Sequence, residues 1–218
     1  MRDAQSIEEY KFNHDIQSQL VLLIEDRPDK LEYPHVLKIS WLDTPLGPMV
    51  AIADNHALYL LEFIGRRGLV HEVKCLKQKT QSVMTMGSTP LINSIENELS
   101  HYFSGKLTAF KTPLFFLGSS FQKQVWEELR KISYGETRSY ADIAEAIGRP
   151  TAFRAVAQAN GSNQLAIIVP CHRVINKNGD LGGYAGGLGH KEWLINHEQK
   201  NGYSDMSFTS NPKALCLN

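Results

Sequence analysis

The sequence predicts an α+β protein: a small N-terminal half with an antiparallel sheet and helices, followed by a mostly helical C-terminal half. Three observations carry that expectation. Between His35 and Phe63 apolar and polar residues alternate in short runs, the period of strands with one face buried. After Gly118 the apolar residues recur every three or four positions, the period of amphipathic helices. The chain has 218 residues, 42% hydrophobic and 21% charged, enough for one substantial core or two small ones. The divisions that follow are 1–34 as an extension, 35–118 as an α+β support domain, 119–202 as a second domain and 203–218 as a tail.

The extension is polar and acid-leaning. Ser6-Ile7-Glu8-Glu9 has the form of a capping box opening a short helix, and Asp26-Arg27-Pro28-Asp29 reads as a stop. No chemistry is assigned to it. From His35, Leu37, Ile39 and Trp41 alternate with Lys38 and Ser40, and Thr44-Pro45-Leu46-Gly47 supplies a turn. Met49 to Ala53 and Tyr59 to Phe63 add two short strands joined through Asp54-Asn55-His56, so the three form an antiparallel meander. Leu69, Val73 and Leu76 mark a helix face, with Cys75 one position off it. Thr89-Pro90 places a cap before a proline at the first helical position. Leu91, Ile95, Leu99 and Tyr102 continue at helical spacing until Gly105. Phe110 to Gly118, with Pro113 inside it, is an extended connector. This half shows no catalytic cluster, and its expected role is support.

In the second half, Phe121, Val125, Trp126, Leu129 and Ile132 form one helical face. Ser139-Tyr140-Ala141-Asp142 is a capping box for a second helix running through Ile147. Gly148-Arg149-Pro150 breaks it, and a third helix runs from Thr151 to Asn160-Gly161. Two short helices across a tight turn make a helix-turn-helix candidate, a weak signal by itself because many helical bundles share it. The third helix is rich in small residues (Ala152, Ala155, Ala157, Ala159) with Arg154 as its long side chain. That pattern suits a probe entering a nucleic-acid groove, and it equally suits close helix packing. Gly182-Gly183-Tyr184-Ala185-Gly186-Gly187 is a loop whose glycines let backbone approach a ligand, without the strand-loop-helix context of a nucleotide site. Lys191 to Glu198 forms a final helix.

The stretch that organises this half is Ile167-Ile168-Val169-Pro170-Cys171-His172-Arg173-Val174. A lone cysteine after an apolar run is most often a small buried hydrophobe. Here Pro170 forces a bend, and a histidine and an arginine follow at once, neighbours expected to favour thiolate over thiol. A thiolate is the strongest nucleophile a side chain offers. His172 is adjacent to Cys171 in sequence, so a bridging water is the expected relay between ring and sulfur. Glu198 is the best-placed carboxylate to orient the imidazole.

Charge and cysteine usage bound the partners. Lys and Arg balance Asp and Glu to a formal net charge of +0, so any DNA contact must come from a local patch and from shape. Cys75, Cys171 and Cys216 form no CxxC pair and no even-numbered framework, which argues against a disulfide scaffold and for a reducing compartment. The early apolar run Leu20 to Ile24 is too short to span a bilayer and lacks a basic flank, so no signal peptide, no membrane partner and a cytoplasmic address are expected. Cys75 with scattered histidines offers no metal-ligand set, so no metal is expected.

The octet and its surroundings resemble the O6-alkylguanine-DNA alkyltransferases, also called methylated-DNA–protein-cysteine methyltransferases. The resemblance covers most of residues 36 to 198 and is densest after Gly118. It is carried by Phe121-Gln122-Lys123-Gln124-Val125-Trp126, Gly135-Glu136-Thr137-Arg138-Ser139-Tyr140, Arg154-Ala155-Val156 and Pro-Cys-His-Arg-Val. Gly183-Tyr184, Gly186-Gly187-Leu188 and Lys191-Glu192-Trp193-Leu194 complete it. It implies a ribonuclease H-like first domain, a winged-helix-like second domain, no cofactor, and a monomer acting on double-stranded DNA that contains O6-alkylguanine, with O4-alkylthymine as a further substrate. By the same resemblance Cys171 accepts the alkyl group irreversibly, His172 deprotonates it through water, Glu198 orients His172 and Asn163 ties the cysteine turn in place. Tyr140 assists departure of the guanine. Arg154 replaces the flipped-out nucleotide, with Thr151, Ala155, Ser139 and Tyr140 along the DNA. Val174, Gly183, Tyr184 and Ala185 wall the base pocket. Gln164 departs from relatives that carry proline after the asparagine. Three other readings stay in view: a non-catalytic damage binder (such relatives lack the cysteine), a Cys-His hydrolase using the glycine loop as an oxyanion site, and a transcription regulator.

Overall fold

A computed structural model describes residues 15–24 and 35–202. The capping box at Ser6–Glu9, the stop at Asp26–Asp29 and Cys216 lie outside the described residues. The first described element is a helix over 15–24 (α1), followed by β1 (His35–Leu42), β2 (Met49–Ala53), β3 (Leu58–Phe63), α2 (Leu69–Thr80), β4 (Ser82–Met86) and α3 (Pro90–Phe103). The second half contributes α4 (Ser120–Leu129), β5 (Arg138–Ser139), α5 (Tyr140–Ala146), α6 (Phe153–Gly161), a 3-10 turn over Cys171–Arg173, β6 (Val174–Ile175) and α7 (Leu188–Gly202).

The meander β1-β2-β3 pairs antiparallel as its alternation predicts. The sheet is nonetheless mixed, with order β3-β2-β1-β4, because β4 pairs parallel with β1. Sequence reading missed β4. Its Ser-Val-Met-Thr-Met run is short, holds only one β-branched apolar residue, and follows α2 with Gln81 alone between them, in the left-handed region at φ 50°. Helix α2 serves as the crossover that parallel pairing requires. Helix α3 starts as expected, with the Thr89 hydroxyl accepting from Ile92 N and Pro90 at its first turn. Its buried face is Ile92, Ile95, Leu99 and Tyr102, with Leu91 only partly covered.

Each face of the sheet is covered. On one side α1 (Ile16, Leu20, Ile24) and α2 (Leu69, Val73, Leu76) pack over Leu37, Ile39, Ile52 and Leu60. On the other, Ala51, Leu61 and Phe63 share a core with α3 and with Val125, Trp126, Leu129, Val156, Val169 and Leu194 of the second half. That core runs unbroken past Gly118. Each fully buried aliphatic side chain in it contributes roughly 1.5–3 kcal/mol.

The outer edge of β3 is closed by two pieces of chain. Leu58 exchanges backbone hydrogen bonds with the 113–115 connector at 2.8 and 2.9 Å. Leu61 does the same with the loop ahead of the cysteine, accepting from Ala166 N (2.8 Å) and donating to Gln164 O (2.9 Å). The first half therefore holds the loop ahead of Cys171 against its own sheet. In the second half both capping boxes form, Ser119 with Gln122 and Ser139 with Asp142. Helix α6 begins at Phe153, two residues later than its small-residue pattern suggests, because Thr151 and Ala152 still belong to the turn. Trp126 Nε1 donates to Ala159 O at 2.8 Å and locks α4 to α6. Among the described residues no helix is long and apolar enough to cross a membrane.

Candidate active site

The residues delivering Cys171 form a tight turn rather than a ladder strand. Ile168 N donates to Ala166 O, Val169 N to Leu165 O and Cys171 N to Val169 O. Ile167 sits at φ 71°, where a β-branched side chain costs on the order of 1–3 kcal/mol. Burial of Leu165 to Val169 on both sides of the bend offsets that strain. Asn163 staples the turn: its Nδ2 donates to Val169 O (3.0 Å) and to Cys171 Sγ (3.1 Å), while its Oδ1 accepts from Leu165 N (3.0 Å). Asn160 Nδ2 donates to Cys171 O at 3.2 Å.

Behind the sulfur lies a buried charged cluster. His172 Nε2 meets Glu198 Oε1 at 2.9 Å, and both side chains are almost fully buried. Arg173 donates to the two Glu198 oxygens at 2.7 and 3.0 Å, Tyr102 OH donates at 2.7 Å and Gly135 N at 3.2 Å. Gly135 needs its freedom here, with φ 79° and the Glu198 carbonyl 3.2 Å from where a Cβ would sit. Burial alone would raise the Glu198 pKa, but the hydrogen bonds and charges of His172 and Arg173 outweigh it and hold the carboxylate ionised. Burial depresses the His172 pKa and Glu198 only partly restores it, so the ring is neutral near pH 7. With Nε2–H donated to the carboxylate, Nδ1 carries the lone pair, and Nδ1 makes no hydrogen bond to the described protein.

The expectation that Arg173 favours the thiolate is not what the structure supports. Arg173 is spent on Glu198 and on Ile132 O. Burial pushes the Cys171 thiol up to about 11, and the groups that pull it back are the Asn163 amide, Arg66 and Lys191, with Glu62 opposing them. The sulfur thus rests as a thiol.

In front of Cys171 a cavity of about 560 Å³ opens, within the range of small-ligand pockets. It gathers Cys171, Asn163, Tyr140, Arg154, Gly183, Tyr184 and Ala185 from the sequence-derived set. Gly186 lets the loop close down, since a Cβ there would meet the Tyr184 and Phe63 rings at 2.9 and 3.0 Å. Burial raises the Tyr140 pKa, so its hydroxyl keeps its proton as a donor. Val174 does not line the cavity itself, and its carbonyl accepts from Lys191 Nζ at 2.5 Å. Thr151 and Ala155 are exposed on the turn and face beside Arg154, outside the cavity. The Ser139 hydroxyl is buried and taken by the α5 cap. Among the described residues no cluster of three or more His, Cys, Asp or Glu is placed to hold a metal.

Several site residues were missed from sequence. Glu62 lines the cavity from the half assigned to support, paired with Arg66. A lone acid in the otherwise apolar Leu58–Phe63 run, with an arginine four residues on, was the available signal. Lys191, wholly buried with its pKa pushed down to about 8 by burial, lay in a quoted motif without a role. Exposed Phe153 joins Arg154 at the cavity rim.

Comparison with known proteins is decisive here. The family model described as 6-O-methylguanine DNA methyltransferase, DNA binding domain, matches residues 120–200. The methylated-DNA–protein-cysteine methyltransferase of Methanosarcina barkeri is 40% identical over 161 residues, 73% of this chain and 96% of the relative. That of Mycolicibacterium paratuberculosis is 51% identical over 169 residues, 76% of this chain and 94% of the relative. The chain belongs to the methylated-DNA–protein-cysteine methyltransferase family. Among solved structures, Mycobacterium tuberculosis O6-methylguanine methyltransferase matches with a TM-score of 0.66 at 37% identity, covering 78% of this chain and 98% of that one. The M. tuberculosis OGT structure in complex with DNA matches at 0.65 and 36% identity, covering 76% and 94%. For this methyltransferase chain, the matched 120–200 segment holds Cys171, His172 and Glu198 and leaves Glu62 and Arg66 outside it.

Proposed function

We propose that this protein repairs DNA by moving an alkyl group, chiefly methyl, from O6 of guanine to Cys171 Sγ, once per molecule, with O4-alkylthymine as a secondary substrate. The observation that carries this reading is a buried cysteine lining a cavity large enough to admit a nucleobase, backed by the His172–Glu198 pair. The proton leaves Cys171 through a bridging water for His172 Nδ1, and the imidazolium so formed lies against ionised Glu198. Sulfur then attacks the saturated carbon, the C–O6 bond breaks, and guanine departs with its negative charge met by a proton from Tyr140. The product is a thioether. It has no carbonyl for water to attack, so the thiol is not regenerated.

A base inside the duplex is out of reach, so it must be flipped out at a cost of roughly a few kcal/mol. The exposed face of α6 suits that task, with Arg154 filling the stack and Thr151, Ala155 and Phe153 beside it. The α5–α6 pair then acts as the helix-turn-helix unit. The backbone of Ala185, which lines the cavity, reads the base edge, and Lys191 holds the Val174 carbonyl behind that wall. A hydrolase would need a cycle that returns the thiol, and a damage binder would have no use for the neutral imidazole behind it.

Intact mass before and after incubation with O6-methylguanine duplex tests the reading. One methyl group is expected on the Cys171 peptide, and none with Cys171→Ala. Release of the methyl group to solvent, or lesion loss without Cys171, would contradict it.

A further inference from the structure

We infer that Arg66, from the N-terminal half, is a positioning residue for the nucleophile: its guanidinium clamps the loop that holds Cys171 Sγ and adds positive charge that favours the thiolate. The inference rests on the reading of Cys171 as alkyl acceptor and gives the sheet half a part in the reaction. Arg66 is 3% exposed. Its Nη1 donates to Asn163 O at 2.7 Å and to Glu62 Oε1 at 2.6 Å. Its Nη2 donates to Gly161 O at 3.1 Å and pairs with Glu72 Oε1 at 2.8 Å.

Two features make this more than a cross-half tether. Gly161 ends α6, so the guanidinium sits where the helix leaves carbonyls unpaired and the dipole favours a cation. Asn163, whose backbone Arg66 grips, is the residue whose amide touches the sulfur at 3.1 Å. A shift of that carbonyl therefore moves a group already in contact with the nucleophile. Arg173, next in the chain but one, is turned away onto Glu198. Of the two cations that act on the thiol, Lys191 comes from the same half and Arg66 from 105 residues earlier, by the difference of positions 171 and 66. Burial would lower the Arg66 pKa, but Glu62, Glu72 and Cys171 raise it, so it stays charged. Glu62 works against it on the sulfur. The fork geometry explains arginine rather than lysine, since one group must serve two carboxylates and two carbonyls at once.

The test uses the full chain and two readouts. The first is the rate of iodoacetamide labelling of the Cys171 peptide at pH 8, followed by mass spectrometry to separate it from Cys75 and Cys216. The second is single-turnover methyl transfer from duplex O6-methylguanine. Arg66→Gln is expected to slow labelling about tenfold, the effect of one unit of thiol pKa. Arg66→Lys keeps the charge and stays within about twofold of the natural protein, with transfer slowed more than labelling because the fork is lost. Glu62→Gln speeds labelling. A loosened fold would expose the thiol and speed labelling in every variant, so slower labelling in Arg66→Gln cannot come from misfolding. Equal or faster labelling in Arg66→Gln overturns the inference. Failure of the natural protein to take any methyl from DNA would sink the functional reading instead, while the labelling rates would still decide the role of Arg66.

Discussion

Cys171 lies between two buried charged clusters that look alike and behave oppositely. At the Glu198 cluster one carboxylate receives donors from His172, Arg173, Tyr102 and Gly135, and it stays ionised despite burial. At the Arg66 cluster two carboxylates share one guanidinium, Glu72 repels Glu62, and burial wins, pushing the Glu62 carboxyl up to about 8. Burial is comparable, since Glu62 is 2% and Glu198 1% exposed. What differs is the ratio of donors to anions. That ratio, rather than depth, decides whether a buried acid is charged. In the proposed mechanism the first cluster holds the imidazolium formed in passing, and the second adjusts the field around the thiol.

Removing the anion from the donor-rich cluster is the harshest way to break the comparison. Glu198→Gln leaves the Arg173 charge buried without its partner and His172 without the carboxylate that fixes its tautomer. Breaking a buried pair from one side costs about 3–5 kcal/mol. Methyl transfer is expected to fall below detection, and urea melts should show the loss of stability. Transfer at near-natural rates would mean that the carboxylate does not orient the base.

How much of this was legible follows the same division. The His172–Glu198 pair could be read because the histidine follows the cysteine in the motif and the acid lies on the next helix, whereas Tyr102 and Gly135 reach Glu198 only through the fold. Both capping boxes and the Thr89 cap were legible too, since each is a local pattern with a local cause. The Arg66 cluster could not be read as a site. Its function depends on Leu61 pairing with Gln164 and Ala166 across the sheet edge, a long-range register that periodicity does not encode. Strand β4 was hidden for a related reason, because parallel pairing with β1 is decided by the α2 crossover and not by the strand's own alternation. The orientation of Arg173 was misread because adjacency in sequence says little about direction inside a 3-10 turn.

The second way to sharpen the comparison is the pH dependence of stability, where the clusters should have opposite slopes. Glu198 has a folded pKa below its ordinary 4.5, so its contribution is present above that value and is lost as pH falls through the folded pKa. Glu62 has a folded pKa raised to about 8, so the folded state binds the extra proton between about 4.5 and 8. Its contribution is full at low pH and is lost as pH rises through that window. Comparing melts of the natural protein and Glu62→Gln at pH 5, 6.5 and 8, the natural protein should lose on the order of 2 kcal/mol relative to the variant. A difference that stays flat across the window would show Glu62 ionised throughout.

The smallest effect is expected from Tyr102→Phe, and its smallness is the point. Tyr102 reaches the cluster from α3, on the far side of the shared core, and its hydroxyl donates to the Glu198 oxygen that also receives His172 and Arg173. A hydrogen bond to a charged group contributes about 1.5–3 kcal/mol when it is the sole support. Here the carboxylate keeps its other donors, and phenylalanine fills the same ring space among Phe103, Phe110 and Tyr134. The cost should fall to about 1 kcal/mol, below the usual range because the acceptor remains satisfied. Transfer rate and its pH profile should hardly move, since His172 still meets an ionised Glu198. A profile displaced toward higher pH would mean that the tyrosine is needed to keep Glu198 charged, and that the donor surplus on which the contrast with the Arg66 cluster depends does not exist.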